Sequence, residues 1–256
     1  MEFRFKCYKK LKLTLGEIDS IVESIELATR EFIDTISANG RDKNNIQTNI
    51  DKLSIKHQIK VNYVDINKFE DRVIKLHIIN VYEQLENYLE ELSKEHPDFT
   101  NHSGKNSGET DLDFTIRILK KGKILKNDIN YFIINHYRLI RNKFVHSLDK
   151  DLNKFKNRII IKNTEYSLLS APNEFNKMNF DDFILFTRAI KNFAKLINQL
   201  CQPTDEQIVE FIKKDNLSKL NKLSNNTERK KNLIEQLLKI EYNIFNETLV
   251  SKIMKD

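Results

Sequence analysis

Residues 127–147, NDINYFIINHYRLIRNKFVHS, hold neither glycine nor proline, and their apolar positions recur at helical spacing. Ile129, Ile133, Tyr137, Ile140, Phe144 and Leu148 fall within an arc of roughly 100° on a helical wheel. Arg138, Asn142 and His146 fall on the opposite side, within an arc of roughly 80°, and Arg141 sits at the edge of the apolar stripe. The stretch therefore reads as an amphipathic helix with a basic face turned away from its own core. A chain with only 5 Gly and 3 Pro in 256 residues favours long helices elsewhere too.

Working outward, three more amphipathic helices are expected at 67–95, 111–121 and 181–201. Phe69, Val73, Leu76, Ile79 (or Val81), Leu85 and Leu89 mark the stripe of the first. The loop 96–110 carries Pro97, Gly104 and Gly108. Helices with one apolar face bury it by packing together, so 66–203 is expected to form a four-helix bundle. Before it, Phe3, Phe5 and Cys7 alternate with polar residues as in a strand. Thr14 and Glu17 form a capping-box pattern opening a helix that Asn39-Gly40 closes, and 41–50 reads as loop. Leu53, Ile55, His57, Ile59, Val61 and Tyr63 alternate like a long strand or hairpin. Residues 1–65 are thus expected to be a small α/β unit. A further hairpin is expected from 158–161 and 166–169, ended by Pro172. Residues 204–256 read as a C-terminal helical extension. The fold class expected is mainly α.

Composition narrows the function classes. Sixteen Phe and 8 Tyr exclude a wholly disordered chain. Cys7 and Cys201 match no metal or redox spacing and read as buried thiols. The first residues do not form a signal peptide, and no run approaches the ~18 apolar residues of a membrane span, so a cytoplasmic protein is expected. No glycine-rich phosphate loop is present, which argues against an NTPase. Net charge is +6, but it is unevenly spread: residues 114–163 hold 13 Lys and Arg against three Asp, while the remaining 206 residues are slightly acidic. That basic surplus surrounds the 127–147 helix and suits a polyanion such as RNA.

Arg141-Asn142-Lys143-Phe144-Val145-His146 resembles the HEPN domains, four-helix proteins whose third core helix carries Arg, four to six residues, then His, often with a small polar residue directly after the Arg. The resemblance covers about 67–201. It implies a metal-independent endoribonuclease without cofactor, built as a homodimer, of the toxin or phage-defence kind, with an antitoxin or defence-system protein as a further partner. Within it His146 is the acid/base, Arg141 the phosphate clamp and Asn142 an orienting residue, with Arg138 and Lys143 as RNA contacts. Five residues apart on a straight helix, Arg141 and His146 diverge by roughly 140°, which calls for a distorted helix end or a second copy of the chain. The alternative is a non-catalytic HEPN-like module that binds RNA or a protein through the same basic face. A third reading is the inhibitory or sensing subunit of such a system.

Other residues are weaker candidates. Arg72 and His77 repeat the spacing without the polar residue and read as a coincidence. His96 and His102, with Asp111 and Asp113, suggest a metal but match no zinc pattern. His136 reads as a surface residue, and Asp181 and Asp182 as carboxylates at a helix start.

Overall fold

The computed structural model describes residues 2–38, 40–99, 104–148, 151–162, 166–223 and 227–255. Asn39, His102, Lys150 and the expected hairpin turn at 163–165 lie outside the described residues. The chain is mainly helical, and among the described residues no strand occurs. The helices are α1 Lys6–Ser37, α2 Lys43–His57, α3 Ile66–Glu95, α4 Asp111–Ile118, α5 Gly122–Leu125, α6 Ile129–His146, α7 Asn153–Lys162, α8 Phe180–Leu200, α9 Asp205–Lys222, α10 Thr227–Gln236 and α11 Glu247–Lys255. No helix among the described residues is long and apolar enough to cross a membrane.

The chain forms two compact units: Met1–Leu13 with Leu85–Asp128 and Lys191–Asp256, and Thr14–Gln84 with Ile129–Ile190. They do not coincide with the consecutive segments 1–65, 66–203 and 204–256. Of the four helices expected to form the bundle, α4 belongs to the first unit and α6 to the second, while α3 and α8 supply residues to both.

In the first unit, the strand expected at 2–8 is replaced by four residues of no regular structure followed by helix. The Arg4 N–H donates to the Tyr242 carbonyl at 2.9 Å, and the other backbone partners are side chains. Asn198 Oδ1 accepts from the Phe5 N–H, while Asn198 Nδ2 and Gln202 Nε2 both donate to the Phe3 carbonyl. The Glu95 carboxylate then accepts from the N–H groups of Lys6 and Cys7 and so caps α1 eight residues before the expected Thr14 start. Phe3 stacks on Tyr242 with ring centres 5.0 Å apart and meets Phe5 edge-on. The period-2 pattern marks burial of Phe3 and Phe5 in an aromatic cluster. Cys7 and Cys201 are buried free thiols, and burial pushes the Cys201 pKa up to about 11.

The second unit corrects the other expected strands. Asp42 caps α2 by accepting from the N–H groups of Asn44 and Asn45, so the polar stretch 43–50 is helix and not loop. Leu53, Ile55 and His57 lie in its last turns, and Gln58 ends it at a left-handed φ of 56°. Ile55 is 80% exposed, so this alternation is not a buried strand face. The hairpin expected from 158 onward is also absent, because residues 153–162 form α7. The buried face of α3 runs through Ile74, Ile78, Val81, Tyr82 and Leu85, and Leu76 is exposed.

At the centre of this unit the Asp182 carboxylate, fully buried, gathers four donors. Tyr137 Oη lies at 2.7 Å, the Asn173 N–H at 2.9 Å, Asn173 Nδ2 at 2.8 Å and the Asn179 N–H at 3.0 Å. Burial, with the carboxylate beside it, raises the Tyr137 pKa well above its usual value. The arrangement ties α6 to the start of α8 and to the 170–179 segment. Asp182→Ala should lower the unfolding free energy by about 3–5 kcal/mol, because several donors lose their acceptor inside the protein. Tyr137→Phe removes one donor and should cost only about 1–2 kcal/mol. Chemical denaturation of both variants checks the ranking; equal losses would refute the central role given to the carboxylate.

Candidate functional site

Helix α6 is enclosed along most of its length. Asn130, the stretch 132–137, Leu139 and Ile140 are all buried, and α7 folds back along it. Enclosure ends at the last turn: Arg141, Asn142, Lys143 and Phe144 are half-buried, and Val145 and His146 are exposed. Leu148, expected in the stripe, is 42% exposed. The cause is the helix stop. Ser147 adopts a left-handed φ of 53°, so His146 is the last helical residue and Leu148 lies beyond the wheel. Lys143 and His146 also sit where the helix dipole is negative.

At that end Arg141 Nη1 lies 3.4 Å from His146 Nε2 and donates to Asn142 Oδ1 at 3.1 Å. The two head groups therefore meet within one chain, contrary to the expected divergence. Side chains on a helix tilt toward its N-terminus, so His146 leans back toward the Arg141 turn. Five residues rise only about 7.5 Å, which a long arginine side chain largely spans. The guanidinium is steadied by the buried Tyr82 of α3, whose ring centre lies 5.5 Å from Cζ. Arg141 Nε is buried and without a partner.

The flanking cations are placed separately. Arg138 Nε donates to the buried Asn135 side chain at 3.1 Å, and Lys143 Nζ lies 5.2 Å from the Phe175 ring centre. On α7, Lys154 and Arg158 are exposed, with Arg158 over the ring of Phe132. Tyr82, Asn135 and Phe175 were not singled out in the sequence. Each reads as an ordinary core or loop residue, and only the fold brings it to the site.

The weaker candidates resolve differently. Arg72 is exposed, while His77 packs edge-on to Phe183 with its pKa lowered by burial; no hydrogen bond joins the two. His96 is buried against the Cys201 carbonyl, Asp111 pairs with Lys105, and Asp113 pairs with Lys126. Among the described residues no group of three or more His, Cys, Asp or Glu is placed to hold a metal ion.

His136 is not a surface residue. It is 1% exposed, because it lies beside Ile129 and Ile140 at the edge of the apolar stripe, where α7 folds back along α6. Its Nδ1 faces the Leu152 carbonyl at 3.2 Å, and its Nε2 is buried without a partner. Burial, with Lys156 nearby, pushes its pKa down from 6.5 to about 4, despite the opposing Leu152 bond. The unfolded chain therefore binds this proton between those values and the folded chain does not. Its stabilising share is full above about pH 6.5 and lost as pH falls toward 4, by about 3 kcal/mol. Denaturation curves across that range should fall for wild type and flatten by that amount in His136→Gln; parallel curves would refute the assignment.

Comparison with protein-family models, with curated proteins and with solved structures finds no match to this chain.

Proposed function

We propose that the protein is a metal-independent endoribonuclease acting in the cytoplasm as a homodimer, in the manner of a toxin or phage-defence effector with an HEPN-like bundle. The observation that carries this reading is the 3.4 Å approach of Arg141 Nη1 to His146 Nε2 at an exposed helix end. An arginine and a histidine side by side are a minimal set for splitting RNA at a 2′-hydroxyl. Arg141 clamps the scissile phosphate through the guanidinium N–H groups that His146 and Asn142 leave unused, and takes up charge as the phosphorus becomes five-coordinate. Asn142 Oδ1 fixes the guanidinium plane. Once the phosphate engages Arg141, the His146 Nε2 lone pair is released to take the 2′-hydroxyl proton.

The leaving 5′-oxygen needs a proton on the opposite side of phosphorus. One chain offers a single histidine here, so a two-fold copy supplies the second His146 as the acid. Exposed Val145 and Leu148, 45% and 42% accessible beside His146, give that face apolar area to bury. Arg138, Lys143, Lys154 and Arg158 supply cations along α6 and α7 for the flanking phosphates. The products are a 2′,3′-cyclic phosphate and a 5′-hydroxyl, and DNA, lacking the nucleophile, is spared.

Purified protein incubated with single-stranded RNA in excess chelator should give cyclic-phosphate ends. His146→Ala should lose about 10²–10⁴-fold in rate and Arg141→Ala about 10²–10³-fold. Arg138→Ala should chiefly weaken binding. Binding of RNA without cleavage would move the assignment to the non-catalytic module; cleavage unaffected by His146→Ala would overturn the proposed chemistry.

A further inference from the structure

Lys75 and Asp71 are charged yet buried in the second unit. Lys75 Nζ contacts Asp71 Oδ2 at 2.6 Å, and the two side chains are 4% and 9% exposed. An apolar pair of the same volume would fill the space without the desolvation cost of two charges. What the ionic pair adds is direction. Asp71 Oδ1 accepts from the Met178 N–H at 3.1 Å, which fastens the 173–179 segment to α3. The ammonium lies 3.9 Å from the Phe175 ring centre and 5.7 Å from that of Phe144. Phe175 is in turn the ring over which Lys143 Nζ sits. Phe144 and Lys143 belong to the same turn of α6 that carries Arg141, Asn142 and His146. A continuous set of contacts therefore runs from a fixed charge on α3, through two aromatic rings, to the turn that ends in the exposed histidine.

We propose that Lys75, held by Asp71, is a positioning residue for the Arg141–His146 turn, acting through Phe175 and Phe144 rather than by touching RNA. This rests on the function proposed above for its effect on rate, but not for its effect on local order. Nothing in the sequence sets Lys75 apart from the other lysines of the chain.

The test uses two variants, one double and one single. Asp71→Asn with Lys75→Met removes both charges and retains an acceptor for Met178. Phe175→Leu removes the ring between Lys75 and Lys143 while keeping an apolar side chain. Amide hydrogen exchange should quicken about tenfold at 142–147 in both variants, while exchange across the middle of α6 stays as in wild type. The rate of RNA cleavage at saturation should fall about tenfold or more with little change in KM, since misplacing a catalytic group slows chemistry without loosening the substrate. Lys75→Arg, which keeps a cation under the rings, should restore both. Wild-type exchange at 142–147 in Phe175→Leu overturns the proposal, even if the double variant fails to fold. If wild-type protein does not cleave RNA, the function above fails, and the exchange pattern alone still decides whether Lys75 orders the turn.

Discussion

The second unit depends on one buried carboxylate. The Asp182 carboxylate is fully buried and is tolerated there because four donors converge on it. Those donors come from α6 and from the 170–179 segment. Satisfying a single anion therefore fixes the direction of α6 and the path of the chain that returns to α8. Phe175, the ring beside Lys143, and Met178, whose N–H reaches Asp71, lie on that returning segment. The orientation of the Arg141–His146 turn is thus downstream of a group that sits on another helix and reads, in the sequence, as a routine helix-start residue.

This explains which parts were legible in the sequence. Helices α3, α6 and α8 carry apolar periodicity, and they lie close to 67–95, 127–147 and 181–201, where the pattern put them. The N-terminal 65 residues were misread for two different reasons. Phe3 and Phe5 are buried in alternation, but the cap of α1 and the side-chain partners of the residues before it come from Glu95, Asn198 and Gln202, nearly a hundred or more positions away. Around Ile55 the alternation was accidental, and the local signal that mattered was Asp42, a helix cap.

At the candidate site, Arg141, Asn142 and His146 were visible as residues but not as an arrangement. A wheel assumes a straight helix and short side chains, and on it the two heads diverge. Arginine's length and the left-handed stop at Ser147 defeat both assumptions. The supporting residues gave no sequence signal, since Tyr82, Phe175 and Lys75 acquire meaning only through partners on other elements. His136 shows the same limit from the opposite side: it was expected at the surface, yet it lies at the edge of the apolar stripe and α7, where a hairpin was expected, folds back along α6 there.

The basic surplus around α6 also changes meaning once side chains are placed. Its members do not form one uniform solvated stripe. Arg138 is held by Asn135, Lys143 and Arg158 lie over aromatic rings, and Lys156 is largely buried against Glu174. In the proposed function, cations seated on rings would lose little rotamer freedom on binding, which favours an anion of defined geometry over diffuse counterions. Arg141 carries this furthest: its Nη1 is committed to Asn142 and His146, its Cζ lies 5.5 Å from the Tyr82 ring centre, and Nε remains unpaired in a buried position. In the proposed mechanism, a phosphate that engages the guanidinium also releases the histidine, so binding and activation of the base would be the same step.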